Sequence, residues 1–166
     1  TAYGGGVYEF NNYKPLKQYL PSNSSLVTRV DNAPTKYTRC TGGTFDSKGN
    51  YWCLNTSESK TVHRLTTNHI WDGITLKKDG NVVPVYTSAE ILLDHRNENH
   101  KWITSCREGT KLILLNDNGT ISENDDNVVF RDTWTTASGK TISPLYIYTI
   151  KQDTKNNIWI GTSSGP

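Results

Sequence analysis

Three aspartates each precede a tryptophan across a short polar turn: Asp46 before Trp52, Asp94 before Trp102 and Asp153 before Trp159. A carboxylate that recurs in this way invites a catalytic reading, as general acid, general base or metal ligand. Recurrence argues against it, because an active site is needed once whereas a structural turn is needed in every repeat. Each Asp is therefore expected to cap its own turn, since Asp and Asn side chains hydrogen-bond nearby backbone and tolerate left-handed conformations. Each Trp is expected to pack between neighbouring repeats.

Other reactive groups are thinly spread. His95 and His100 sit around one turn, but a metal site needs further ligands and the nearby acids are Asp94 and Glu98, so a solvated turn is expected. The oxygen-rich Asn116–Asp126 segment lacks the regular ligand spacing of a calcium loop. Gly4–Gly6 has neither the preceding strand nor the Lys-Ser/Thr end and following helix of a phosphate cradle, and reads as a turn. No Ser occupies a nucleophile elbow, and no pair among the sixteen acidic residues stands out as a glycosidase couple. Cys40, Cys53 and Cys106 match no zinc spacing. Cys40 and Cys53 flank the Asp46–Asn50 turn almost evenly, so they could face each other across a hairpin as a disulfide; the preferred reading is two small apolar core residues. No catalytic residue, metal or cofactor is assigned, and the chain reads as a non-enzyme. The binding candidates are aromatics outside the repeated motif, Trp71, Tyr86 and Trp134, placed near blade ends or loops where binding residues concentrate.

The elements that position these residues are short strands. Ile158-Trp159-Ile160 is β-branched and aromatic, suited to a pleated, well-buried surface, and the Asp…Trp pattern recurs at a period of roughly 45–60 residues, which points to a β-propeller with one blade per repeat. The expected fold is all-β, a partial propeller of four-stranded antiparallel blades forming a single unit over residues 1–166. Residues 1–20 read as a trailing half-blade with strands at Val7–Phe10 and Lys17–Leu20. Residues 21–36 read as a connection, with Leu26–Val30 as a short edge strand. Residues 37–79 form a blade with strands at Tyr37–Phe45, Tyr51–Asn55, Thr61–Thr66 and His69–Leu76, a turn at Thr56–Lys60, and Asp79-Gly80-Asn81 as a closing turn. Residues 82–134 form a second blade, with strands at Glu90–Leu93, Lys101–Cys106, Lys111–Asn116 and Val128–Trp134 and a loop over Ser122–Asn127. Residues 135–166 read as a leading half-blade, with a loop at Thr135–Lys140 and strands at Leu145–Lys151 and Ile158–Thr162. No stretch shows extended helical periodicity. Two blades and two half-blades are fewer than the four to eight of a closed propeller, so the expectation is a fragment of a longer protein, or an open arc whose blade edges self-associate with another copy.

Composition limits the partners. Nine Tyr, five Trp and no Met suit a β protein, and eighteen basic against sixteen acidic residues give a net charge of +2 with the signs interspersed. A nucleic-acid footprint needs a clustered basic face, so the charge reads as a solvated surface. Nothing approaches the apolar run of a membrane span.

Gln152-Asp153-Thr154-Lys155-Asn156-Asn157-Ile158-Trp159-Ile160-Gly161-Thr162-Ser163-Ser164-Gly165 resembles the two-component regulator propeller repeat, whose pattern is roughly Asp-x-x-Gly-x-Ile/Leu-Trp-Ile/Val-Gly-Thr-x-x-Gly, with Asn156 in place of the usual Gly. Gly49-Asn50-Tyr51-Trp52 keeps part of the pattern before Cys53-Leu54-Asn55. The middle copy is two residues longer and has Ile103-Thr104-Ser105. Ala2-Tyr3-Gly4-Gly5-Gly6-Val7-Tyr8 is similar to the tail of a further copy. The resemblance implies a propeller outside the cytoplasm, in the periplasm or on the outer cell surface of a Gram-negative bacterium of the Bacteroidetes. Two groups carry such repeats: sensor parts of hybrid two-component regulators, which detect glycan fragments, and PorZ-like surface proteins linked to type IX secretion. The degenerate copies, the Ser88–Asp94 approach and the Gly165-Pro166 ending are more similar to the PorZ-like group. The implied function is a binding or scaffold module for a protein or glycan ligand; the alternative is a propeller enzyme, a polysaccharide lyase or glycosidase.

Overall fold

The computed structural model describes residues 3–56, 60–106, 112–120 and 124–165. Residues 57–59 of the turn expected at Thr56–Lys60, the start of the strand expected at Lys111, and parts of the Asn116–Asp126 and Ser122–Asn127 segments lie outside them. The chain divides into two compact units, Thr1–Val85 and Tyr86–Pro166.

In the first unit β1 (Tyr3–Gly4) is followed by the hairpin β2 (Val7–Asn11) and β3 (Lys14–Tyr19). The connection after it contains no strand over Leu26–Val30, which corrects the edge strand expected there. Its backbone bonds to side chains instead: Val27 N donates to Asn55 Oδ1 at 2.6 Å. A single helical turn, α1 (Pro34–Tyr37), carries Pro in its first positions, where the missing N–H costs nothing. The blade follows as β4 (Thr38–Phe45), β5 (Tyr51–Asn55), β6 (Lys60–Leu65) and β7 (Trp71–Thr75). The strands are antiparallel and β1 pairs with the outer edge of β4, so the sheet order is β1-β4-β5-β6-β7. β4 bulges between Thr41 and Thr44. Gly42 (φ 63°) and Gly43 (φ 152°) absorb the extra residue, which a side chain would disfavour. β8 (Lys77–Lys78) and β9 (Asn81–Val82) form a hairpin turned by Asp79 and Gly80, both at positive φ as the favoured two-residue turn requires.

The strand alternation splits the side chains of this blade between two faces. Val7, Tyr19, Leu26, Cys40 and Cys53 make one buried cluster, with Tyr51, Leu65 and Trp71 packed against it. Trp52, Leu54, Val62 and Ile74 are buried on the opposite face.

The second unit opens with a four-stranded antiparallel blade, β10 (Ser88–Leu93), β11 (His100–Ser105), β12 (Leu112–Asn116) and β13 (Asn127–Arg131), in that spatial order. The strand expected over Val128–Trp134 breaks, and β14 (Trp134–Thr135) pairs separately with β15 (Thr141–Ile142). The hairpin β16 (Ile147–Gln152) and β17 (Ile158–Thr162) completes the unit. Leu112, Ile147 and Ile150 make one buried cluster in it, covered by Leu92, Trp102, Trp134, Ile158 and Ile160. Polar straps tie blade to hairpin. Glu90 Oε2 accepts Ile150 N at 2.9 Å and Thr149 Oγ1 at 3.0 Å, and Gln152 Nε2 donates to Asp94 Oδ1 at 3.0 Å.

Charge is not confined to a solvated surface, which corrects the sequence reading. Lys101 and Asp117 form an ion pair at 2.8 Å, each side chain about 2% exposed, and Asp94 is also buried. His63 is wholly buried, with Nδ1 2.8 Å from Ser25 Oγ and Nε2 3.2 Å from the Lys60 carbonyl. Burial pushes its imidazole down to about 4. In the unfolded chain the ring protonates near 6.5, so the folded state binds fewer protons between those values. The stabilisation is therefore fully present above about pH 6.5 and is lost as pH falls to about 4, a change of about 3 kcal/mol. Urea midpoints measured at pH 7.5 and 4.5 should fall further apart in the native chain than in His63→Gln.

Candidate functional site

Asp46 and Asp153 organise their turns in the same way, and all three repeated aspartates accept the indole N–H of their tryptophan. Asp46 Oδ1 accepts the backbone N–H of Lys48 at 3.0 Å and of Asn50 at 2.8 Å, while Oδ2 accepts Asn50 Nδ2 at 2.8 Å and Trp52 Nε1 at 2.9 Å. Asp153 repeats the set with Lys155, Asn157 and Trp159, at 2.8, 2.8, 2.9 and 2.9 Å. Gly49 (φ 81°) and Asn156 (φ 66°) occupy the same left-handed step, which Asn tolerates better than other side chains. Asp94 sits in the longer middle turn. Its carboxylate takes Arg96 through Nε at 3.0 Å and Nη2 at 2.7 Å, and Trp102 Nε1 at 3.3 Å. These bonds set the carboxylates' affinities for protons. The Arg96 guanidinium holds Asp94 well below the usual range. Trp159 and Asn157 bring Asp153 down to about 2. At Asp46 burial pulls upward, and the donors from Trp52, Asn50 and Lys48 outweigh it. Carboxylates saturated by donors in this way act as anchors for the indole N–H groups.

The tryptophans differ in burial. Trp52 is 3% exposed, with the Arg64 guanidinium 5.5 Å from its ring centroid across the β5–β6 pairing. Trp102 is half-buried opposite Leu114, and Trp159 is 59% exposed. The last departs from the expectation of a packed indole, because β17 has a strand on one side only among the described residues. Gly161 lies against Thr149, whose Cγ2 would stand 2.7 Å from any added Cβ.

The three aromatics singled out as binding candidates occupy separate places. Trp71 meets Tyr19 in a tilted contact, ring centroids 5.1 Å apart and planes at 60°, with its Nε1 buried and lacking an acceptor among the described residues. Trp134 packs on the core of the second unit, and Tyr86 is half-buried in the same unit. Among the described residues, no group of three or more His, Cys, Asp or Glu is gathered as a metal site.

A cleft of about 440 Å³ opens instead in the first unit, lined by residues of β2 and by the β4–β5 and β6–β7 turns. That volume is within the range of small-ligand sites. Tyr8 and Phe10 from β2, and Phe45 and Tyr51 from either side of the Asp46 turn, supply aromatic walls; Phe45 and Tyr51 stand 5.3 Å apart and Phe45 is 68% exposed. Glu9, Thr66, Thr67 and His69 supply polar groups. Glu9 Oε2 accepts the Tyr19 hydroxyl at 2.7 Å, and burial together with that carboxylate pushes the tyrosine up to about 12. The two turns are joined by Asn50, which donates to Asp46 and accepts Thr67 N at 3.3 Å. Exposed rings beside polar groups can stack on the apolar face of a sugar or accept side chains of an extended peptide. The sequence offered one signal for this site: Phe45 and Tyr51 bracket a strong turn, so the two rings leave the hairpin together. Nothing local joined them to Tyr8 and Phe10.

Residues 141–164 match the family model described as two component regulator propeller. No curated protein matches the chain. Among solved structures, the chain is similar to PorZ, an essential bacterial surface component of the type-IX secretion system of Porphyromonas gingivalis. The identity is 20% and the TM-score 0.81, over 98% of this chain and 22% of PorZ. At that identity the likeness shows a shared fold, and this chain spans less than a quarter of its neighbour's length. The chain has the all-β fold of a partial propeller and carries, over residues 141–164, a two-component regulator propeller repeat.

Proposed function

We propose that this chain is a non-enzymatic, extracytoplasmic propeller module that binds a protein or glycan ligand within a PorZ-like surface protein. The observation that carries the reading is the cleft formed by Tyr8, Phe10, Phe45 and Tyr51, where exposed rings meet the polar groups of Glu9, Thr66, Thr67 and His69. The PorZ likeness supports the surface location, and the propeller repeat supports a role outside the cytoplasm. The three Asp turns support scaffolding, because their carboxylates are occupied by their own backbone and tryptophans.

Binding to an oligosaccharide array and to extended peptides tests the proposal. Phe45→Ala removes an exposed ring without opening the core, so it should weaken the captured ligand about tenfold or more, equivalent to about 1.4 kcal/mol, at an unchanged urea midpoint. Binding indifferent to both Phe45→Ala and Phe10→Ala would remove the cleft as the site. Turnover of a bound glycan would replace the binding module by a lyase or glycosidase.

A further inference from the structure

We propose that the cleft of the first unit takes the guanidinium of an arginine presented by a protein partner. Binding there rests on the cleft being the ligand site, as proposed above, and adds the charge of the ligand. Val7 pairs with Tyr19 and Glu9 with Lys17 across the β2–β3 hairpin, so these four side chains share one face. Val7 and Tyr19 belong to the buried cluster on which Tyr51 packs, so the face that carries Glu9 is the one turned toward the blade. Phe45 lies directly opposite Tyr51 in the β4–β5 ladder, and the two rings meet at 5.3 Å with planes at 53°. Glu9, Tyr19, Phe45 and Tyr51 thus border one cleft.

Glu9 is the one carboxylate among the described residues that line the cleft, and neither Lys nor Arg is among them. The Tyr19 hydroxyl donates to its Oε2 at 2.7 Å and fixes the carboxylate, while Oε1 has no hydrogen-bond partner among the described residues. Lys17, the cation across the ladder, is exposed, and its Nζ lies over the Tyr19 ring, 5.1 Å from the centroid. A half-buried carboxylate beside apolar walls is screened less than one in open water, so it attracts a cation and repels an anion. The ring faces favour the same sign of charge through their quadrupoles. Among the cations a protein presents, guanidinium suits both features. It is flat enough to stack on a ring while its in-plane N–H groups donate to a carboxylate. A neutral sugar would use the rings and leave the charge unmatched, and an acidic one would be repelled.

The test titrates the chain with acetyl-Gly-Arg-Gly-amide and with the same peptide carrying citrulline, which keeps the shape and loses the charge. Binding is followed by the backbone amide shifts of Glu9, Phe45 and Thr67. The arginine peptide should bind about tenfold tighter or more, equivalent to about 1.4 kcal/mol, and the preference should shrink as salt is raised. Glu9→Gln keeps an acceptor for the Tyr19 hydroxyl, so it should lower arginine binding to the citrulline level and leave the citrulline peptide unchanged. Phe45→Ala should weaken both peptides. Equal affinity for the two peptides, or arginine binding indifferent to Glu9→Gln, would overturn the proposal. If Phe45→Ala still weakened both, the cleft would stand as the site without its selection for charge. Capture of an oligosaccharide at the cleft and of neither peptide would have the same meaning. Peptide binding indifferent to Phe45→Ala and Phe10→Ala would remove the cleft itself, and both readings with it. The citrulline comparison is made on the native chain, so it decides the matter even should Glu9→Gln fail to fold.

Discussion

Trp52→Ala should destabilise the first unit by about 3–5 kcal/mol, the usual cost of emptying a large buried side chain. The indole is 3% exposed, its Nε1 bonds Asp46 Oδ2 at 2.9 Å, and Arg64 covers its face. Its loss leaves a cavity, removes the donor that completes the Asp46 carboxylate, and frees a guanidinium that also pairs with Asp72 at 2.7 Å. The corresponding change at the last repeat is the control. Trp159 makes the same hydrogen bond to Asp153 but is 59% exposed, so Trp159→Ala should cost about 1 kcal/mol, close to the value of the hydrogen bond alone. Urea unfolding followed by far-UV circular dichroism measures both. Equal losses would show that the hydrogen bond, and not burial, sets the energy of this repeat position.

Asp117→Ala should be comparably severe in the second unit, at about 3–5 kcal/mol, because it removes the carboxylate 2.8 Å from a buried ammonium. Lys101 Nζ bonds Asp117 Oδ2 at 2.8 Å and the Glu98 carbonyl at 2.7 Å, and both side chains of the pair are about 2% exposed. Replacing both partners, as Lys101→Met/Asp117→Leu, should recover most of the loss, since apolar groups of similar volume carry no desolvation cost. A double variant as unstable as the single one would assign the effect to the turn, where Asp117 Oδ1 also accepts Gly119 N at 3.1 Å. The same urea series decides between the two.

The hairpins were legible because their determinants are local. Tyr51–Asn55 and Ile158–Thr162 are strands over the residues expected of them, and the Asp46 and Asp153 turns close through the backbone N–H groups that each Asp carboxylate accepts. Asn156 stands where the repeat usually has Gly, and its positive φ explains the exchange. The hydrogen bond from each Trp to its Asp was implicit in their short spacing, yet periodicity alone does not show it. Leu26–Val30 misled because apolar residues in an irregular connection can be buried by side-chain bonds, such as that from Val27 N to Asn55, without any ladder.

What the sequence determined by itself, then, was a β-propeller repeat with Asp-capped hairpins, since turn chemistry and strand alternation act between residues close in the chain. Tertiary structure alone decided which copies of one motif are buried, that Lys101 and Asp117 meet away from water, that Cys40 and Cys53 share a core, and that Tyr8 and Phe10 join Phe45 and Tyr51 around a cleft. Each of these depends on which strand lies beside which, and that pairing is set by the burial of whole faces across many residues.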